Sequence, residues 1–318
     1  MTQRLGATIP FPGTDVREAC ELAKVAEDLG YTDVWSAEVS GPDGFSMASA
    51  AGISTSSARL GCAIAPAFTR PPALIAMSAL AAQQASGGRF CLGLGASTPT
   101  IVTEWMGVPF ERPLARMRET VTTVRALLGG EKVTLDGESI AVHGFRLEQP
   151  AVTPVPIFLA ALGPKMLALA DEVADGVALF LTSEEGIRLA AKAAPGKEII
   201  ARVICCPGRP VNEVKDFARW MLAPYIAANG YNPWLARQGF EDEASEVQTL
   251  WRSGERTAAR EAVSDRLIES IVVMGGPEDC KEQLAAFYDA GLTTAILLFA
   301  TESGPAASRA ALEAMAPT

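Results

Sequence analysis

The chain has one histidine in 318 residues, His143, and that scarcity removes whole classes of chemistry. A histidine zinc site, a Ser-His-Asp triad and a Cys-His pair each need a histidine placed with partners. His143 lies in Val142-His143-Gly144-Phe145, a Gly-flanked excursion, and reads as a surface or hairpin residue. Cysteine is present without pattern. The six residues at 20, 62, 91, 205, 206 and 280 form no Cys-x-x-Cys pair, and no metal is expected. Cys62, Cys91, Cys205 and Cys206 sit in apolar runs, where cysteine behaves as a small hydrophobe. This usage reads as reduced and cytoplasmic. No run of about 18 apolar residues occurs, so no membrane span is expected. Met1-Thr2-Gln3-Arg4 leads into a strand pattern and not into a signal segment. Basic blocks are missing too: 27 Lys and Arg against 37 Asp and Glu give a net charge of −10. Such a surface is a poor partner for nucleic acid or an anionic membrane. It is also an unfavourable field for an anionic cofactor, so any phosphate must be caught by backbone N–H groups and a few cations. An enzyme so poor in histidine is expected to borrow its chemistry from a cofactor.

What is present is apolar: 49% of residues, enough for a large core. Short apolar runs alternate with helix-periodic segments. Strands are predicted at Arg4–Pro10, Asp33–Ser36, Arg59–Ile64, Arg89–Gly93, Val155–Ala161, Gly176–Leu181, Glu198–Cys206 and Thr294–Phe299. The helices between them include one running to Leu29, capped by Thr14 or Asp15, and others at Ser46–Ile53, Pro72–Gln84, Arg112–Leu128, Pro164–Val173, Glu184–Ala193 and Pro277–Ala290. Residues 131–149 break the rhythm as a hairpin around Asp136-Gly137. Residues 208–268 show helical periodicity without a clear strand. Apolar strands alternating with helices imply a parallel sheet covered on both faces. Eight such units predict an α/β fold, a (β/α)₈ TIM barrel spanning residues 1–318 as one domain, with insertions near 131–149 and 208–268. The competing open, doubly wound sheet would carry a Gly-x-Gly-x-x-Gly turn, whereas the first strand ends in Pro10-Phe11-Pro12-Gly13.

A barrel builds its site at the C-terminal ends of the strands. After the second strand, Ser36-Ala37-Glu38-Val39 places a carboxylate beside apolar residues. Burial there would raise its proton affinity and make Glu38 a proton donor or acceptor; a solvated loop carboxylate is the alternative. Asp43 reads as a helix cap. Arg70, in the proline-stiffened loop after the third strand, either holds a cofactor anion or pairs with a loop carboxylate. Leu92-Gly93-Leu94-Gly95 allows close approach of a flat ring or of backbone, and Ser97 and Thr98 add hydroxyls. Ala160-Ala161-Leu162-Gly163-Pro164-Lys165 opens a helix whose free N–H groups, with Lys165, make an anion site.

Several stretches together resemble the luciferase-like family of flavin- and deazaflavin-dependent oxidoreductases. Thr69-Arg70-Pro71-Pro72, Ser86-Gly87-Gly88-Arg89-Phe90 and Leu92-Gly93-Leu94-Gly95 are similar to one block of that family. Pro156-Ile157-Phe158-Leu159-Ala160-Ala161, Gly163-Pro164-Lys165 and Ala174-Asp175-Gly176 are similar to another. The resemblance covers roughly residues 1–200 and 270–300 and is specific in combination. It implies a dimeric barrel with an isoalloxazine-type ring at its C-terminal mouth. It also implies a non-prolyl cis peptide, Ala63–Ile64 by position, backing that ring, and backbone contacts from Ala160, Ala161 and Gly163 to the cofactor tail. Ser97-Thr98-Pro99 and Gly107-Val108-Pro109-Phe110-Glu111-Arg112-Pro113 resemble the branch that uses coenzyme F420, a deazaflavin that moves hydride and reacts poorly with oxygen. Two departures matter. F420 relatives with sugar-phosphate or alcohol chemistry carry an Asp-His pair where this chain has Ala37-Glu38, and an acid where it has Thr98. Their proton relay does not transfer, and Glu38 is the substitute.

The expectation is therefore an F420-dependent oxidoreductase acting on a small organic molecule, as a homodimer. Ser36, Ala63, Ile64, Ala65, Arg70, Ser97, Thr98 and Ala160 to Lys165 (with Ala161, Leu162, Gly163 and Pro164) would bind the cofactor, and Glu38 would handle a proton. The alternatives are an FMN-dependent monooxygenase on the same fold and a non-catalytic cofactor-binding barrel.

Overall fold

Local chemistry fixes where the elements begin. Asp15, not Thr14, caps the helix Val16–Asp28: its carboxylate accepts from the Arg17 and Glu18 N–H groups, and Glu18 returns a bond to the Asp15 N–H. Asp43 caps the helix Gly44–Ser54 through the Ser46 N–H. Proline opens the helices Pro72–Ala85, Pro113–Leu128, Pro164–Val173 and Pro277–Asp289, where a missing N–H costs nothing.

The computed structural model describes residues 3–317. Among these the strands are β1 (Arg4–Thr8), β2 (Asp33–Ser36), β3 (Arg59–Pro66), β4 (Phe90–Gly95), β5 (Val133–Asp136), β6 (Ala141–Phe145), β7 (Ile157–Ala160), β8 (Gly176–Phe180), β9 (Glu198–Pro207), β10 (Val272–Gly275) and β11 (Thr294–Phe299). The order β9-β11-β1-β2-β3-β4-β7-β8 is parallel throughout, and β8 pairs back onto β9. This is a closed eight-stranded barrel ringed by helices, the predicted (β/α)₈ fold. β5 and β6 form the expected antiparallel hairpin, and His143 sits on it, exposed, with Nε2 3.5 Å from Asp136.

β10 is an addition to the reading from sequence. It is four residues long and follows directly on the helix Asp265–Ile271, so its apolar run merges with that helix's pattern. It pairs with β9 at Ile204–Pro207, beyond Arg202, where β8 stops. The segment 208–268 folds into helices, including Val211–Ala227 and Glu241–Arg252, with their own buried core. A further helix, Pro305–Ala314, closes the chain's last unit. No helix among the described residues is long and apolar enough to cross a membrane.

The barrel interior is filled by Trp35, Ala63, Cys91, Phe158, Ala178, Ile200 and Ile296. Trp35 and Phe158 meet edge to face with centroids 5.7 Å apart. Gly61 leaves the space that the Trp35 ring takes, since a Cβ there would strike it. Below them, at the strands' N-terminal ends, Asp33 is fully buried between Arg4 (2.7 Å) and Arg59 (2.5 Å). Arg59 continues to Glu198 at 2.6 Å. One end of the barrel is thus plugged by aromatics and ion pairs, which leaves the other end open for a site.

Candidate active site

A cavity of about 450 Å³ opens at the C-terminal ends of the strands. Its floor is the top of the barrel interior: Ala63, Ala178, Ile200 and Ile296. The walls come from loops. Ala37, Glu38 and Val39 follow β2, Ala96 to Thr98 follow β4, and Leu162 and Gly163 follow β7. Ile101, Phe110 and Pro113 close one side; Tyr225, Asn229, Gly230, Tyr231 and Pro233 reach in from the 208–268 segment.

Of the residues expected from sequence, the structure gathers Glu38, Ala63, Ile64, Ser97, Thr98, Ala160, Leu162 and Gly163 around this cavity. The Ala63–Ile64 peptide is cis and non-prolyl, at the position the resemblance implied. Ser97 lies in the left-handed region at φ 64°, and the Thr98 hydroxyl accepts from the Ile101 N–H at 3.4 Å. The glycines of Leu92-Gly93-Leu94-Gly95 serve backbone packing. A Cβ on Gly93 would come within 3.1 Å of the Ala63 Cα, and one on Gly95 within 3.0 Å of the Ile64 side chain. Both strand residues press on the cis peptide from behind.

The others stand outside. Ser36 is buried, its hydroxyl donating to the Gly44 carbonyl at 2.7 Å. Ala65 and Ala161 are buried in the core. Pro164 and Lys165 are exposed on the first turn of their helix and are not among the residues lining the cavity, though Gly163 and Met166 on either side are. Arg70, read from sequence as an anion holder or a carboxylate partner, pairs with carboxylates: it donates to Glu38 Oε1 at 2.5 Å and lies 3.5 Å from Asp43. It also sits 5.3 Å from the Phe45 ring centroid.

Glu38 is the one carboxylate among the cavity-lining residues. Its Oε1 accepts from the Arg70 guanidinium and from the Gly44 N–H at 2.9 Å, and its side chain is 13% exposed. Apolar burial alone does not describe this group; two donors fix Oε1. Burial pushes the neighbouring Cys62 thiol up to about 12, so it is no thiolate at neutral pH.

Arg202 on β9 lines the cavity, a residue that the apolar run Glu198–Cys206 does not single out. Its signal was available: Ile200 and Arg202 share one face of the strand by alternation, and Ile200 faces the barrel interior. The aromatics of 208–268 divide. Tyr225 and Tyr231 line the cavity, Trp234 is buried and donates to the Leu181 carbonyl at 3.1 Å, and Trp220 is exposed.

The luciferase-like monooxygenase family model matches residues 2–294. A 5,10-methylenetetrahydromethanopterin reductase of Methanolobus tindarius is 30% identical over 89% of this chain and 90% of its own. A Mycobacterium tuberculosis protein provisionally named a coenzyme F420-dependent oxidoreductase is 32% identical over 92% of this chain and 94% of its own. The solved coenzyme F420-dependent tetrahydromethanopterin reductase from Methanopyrus kandleri shares the fold at TM-score 0.82 and 20% identity, covering 99% of this chain and 98% of that one. So does a type II Baeyer-Villiger monooxygenase from Pseudomonas putida in complex with FMN, at TM-score 0.68 and 16% identity, covering 99% and 97%. With the family model matching residues 2–294 and relatives of 30% and 32% identity covering about nine-tenths of the chain, this chain belongs to the luciferase-like monooxygenase family and is an oxidoreductase.

Proposed function

We propose that the protein binds coenzyme F420 and catalyses hydride transfer between it and a small organic substrate. The observation that carries this reading is the cavity itself: an apolar pocket floored by the Ala63–Ile64 peptide, with a single anchored carboxylate, Glu38, at its edge. The two relatives of about one-third identity that are named as a reductase and an F420-dependent oxidoreductase favour the deazaflavin.

The residues present fit a flat ring with an anionic tail. Ala63, Ala96, Ala160 and Gly163 keep the walls close to backbone, and a Cβ on Gly163 would meet nothing within 4 Å. When bound, a deazaflavin supplies two-electron hydride chemistry. The chain's own residues do the rest. Ala63 and Ile64 would support the ring. The helix Pro164–Val173 begins beside Gly163, so its first free N–H groups, on Lys165 and Met166, would hold an anion of the tail. Ser97 and Thr98 offer hydroxyls at the mouth. Glu38 takes or returns the proton at Oε2, while Arg70 and the Gly44 N–H keep the carboxylate in place.

Titration of the purified protein with F420 and with FMN tests the reading. Quenching of deazaflavin fluorescence at micromolar protein, with weak FMN binding, is expected. Tight FMN binding without F420 binding would replace it with the monooxygenase reading, which oxygen uptake with reduced FMN would then establish.

A further inference from the structure

One charged side chain in the cavity has no part in the proposed chemistry. Arg202 lines the wall with its guanidinium 5.4 Å from the Phe180 ring centroid. The phenols of Tyr225 and Tyr231 and the Cys62 thiol lie near it, and among the described residues it pairs with no carboxylate within 4.0 Å. Its Nε is buried without a hydrogen-bond partner. The other arginines nearest the barrel's two ends are paired with carboxylates: Arg59 with Asp33 and Glu198, and Arg70, whose Nε is likewise unpartnered, with Glu38 and Asp43. Arg202 is not. Burial pushes its guanidinium below the ordinary arginine value, yet arginine remains a cation at neutral pH. An unanswered cation against an apolar wall is costly, and a bound anion removes that cost.

The anion's type follows from the surroundings. Arg202 is the one basic residue among those lining the cavity, so a monoanion is balanced and a phosphate dianion is not. A guanidinium fork matches the two oxygens of a carboxylate. Ile64, Ile200, Ile296 and Phe180 surround the rest of the space with apolar surface. We propose that Arg202, framed by Phe180, Tyr225 and Tyr231, binds the carboxylate of the substrate, so that this enzyme acts on organic acids with an apolar body. The proposal rests on the reading of this cavity as the substrate and cofactor site.

The test uses trans-cinnamate, its neutral amide and phenyl phosphate as probes, titrated calorimetrically into F420-loaded and cofactor-free protein, as wild type, R202M and R202K. Thermal melts confirm that each variant folds, and R202K keeps the cation should R202M not fold. Wild type should bind cinnamate about 30-fold more tightly than the amide, as charge-assisted pairs do in apolar sites. R202M should abolish that preference and R202K restore part of it, with F420 affinity changed less than about threefold in either variant. Equal binding of acid and amide by wild type, or a preference that survives in R202M, overturns the proposal. An F420 affinity that collapses in R202M assigns the anion to the cofactor's acidic tail and overturns it too. Stronger binding of phenyl phosphate than of cinnamate overturns the carboxylate assignment. If F420 fails to bind while the cinnamate preference persists in cofactor-free protein, the cofactor reading falls and the Arg202 site stands.

Discussion

The backbone N–H of Glu38 donates to the Ile64 carbonyl at 3.3 Å, tying the cavity's carboxylate to the cis peptide that forms its floor. Acid and floor are therefore positioned as one unit, with Arg70 and Gly44 holding Oε1 from the other side. Glu38→Gln preserves the shape and removes the proton acceptor. Turnover, read from deazaflavin absorbance with the best substrate from an organic-acid screen, is expected to fall about 10²–10⁴-fold, the usual worth of a positioned acid or base. F420 affinity should stay unchanged. Unaltered turnover would place the proton elsewhere.

The opposite end of the barrel predicts a different phenotype. Asp33 accepts from Arg4, Arg59, the Thr32 hydroxyl (2.8 Å) and the Trp35 indole (3.0 Å), all at or near strand starts. Removing one partner of a buried ion pair strands the other charges, at a cost of about 3–5 kcal/mol. Asp33→Asn should lower stability by that order in urea denaturation, with F420 binding intact once folded. A loss below about 1 kcal/mol would mean that this network only breaks even against its desolvation.

Gly93 and Gly95 should separate stability from binding. A methyl on Gly95 meets the Ile64 side chain and the Ala160 Cβ, each at 3.0 Å, a near contact that a shift of Ile64 and a few tenths of an ångström at Ala160 relieve. A methyl on Gly93 meets the Cys62 carbonyl and the Ala63 Cα, which are backbone and do not yield. Gly95→Ala should cost about 1 kcal/mol, the low end for overpacking, and weaken F420 binding by displacing Ile64. Gly93→Ala should cost about 3 kcal/mol or more. Denaturation curves that rank the two variants the other way would show that the close approach is not what these glycines serve.

Much of this architecture was legible because it rests on local rules. Strands buried on both faces read as apolar runs, Asp15 and Asp43 read as caps, and prolines marked helix starts. What escaped depended on three-dimensional partners. Nothing in Thr69-Arg70-Pro71 says that Arg70 turns to Glu38, 32 positions away, and not to a ligand. Ser36 sits beside the site in sequence, yet its hydroxyl is consumed by the Gly44 carbonyl. Arg202 was hidden by its setting: one cation in a strand that is apolar from Ile199 to Pro207 apart from it reads as noise until alternation puts it on the inward face. Tyr225 comes from the helix Val211–Ala227 and Tyr231 from the turn after it, in a segment with its own core, and only the packing of that core on the barrel decides that they, and not Trp234 or Trp220, reach the cavity.

Glu27 gives a prediction in pH. Its buried carboxylate accepts from the backbone N–H groups of Ser56 (2.9 Å), Ser57 (2.6 Å) and Ala58 (2.8 Å), pinning the loop that leads into β3. Burial alone would push this carboxyl up, but the three N–H donors and the Ser57 hydroxyl outweigh it and hold it well below its ordinary 4.5. A depressed folded value means that the unfolded chain binds more protons in the window beneath it. The stabilisation is therefore complete above about pH 4.5 and drains away as pH falls toward the folded value. Glu27→Gln keeps the shape but has no proton to gain. The gap in unfolding free energy between wild type and Glu27→Gln should be largest at neutral pH and shrink as acid is added below about pH 4.5. Two curves that remain parallel from pH 7 to pH 3 would mean that the loop is held by something other than this carboxylate.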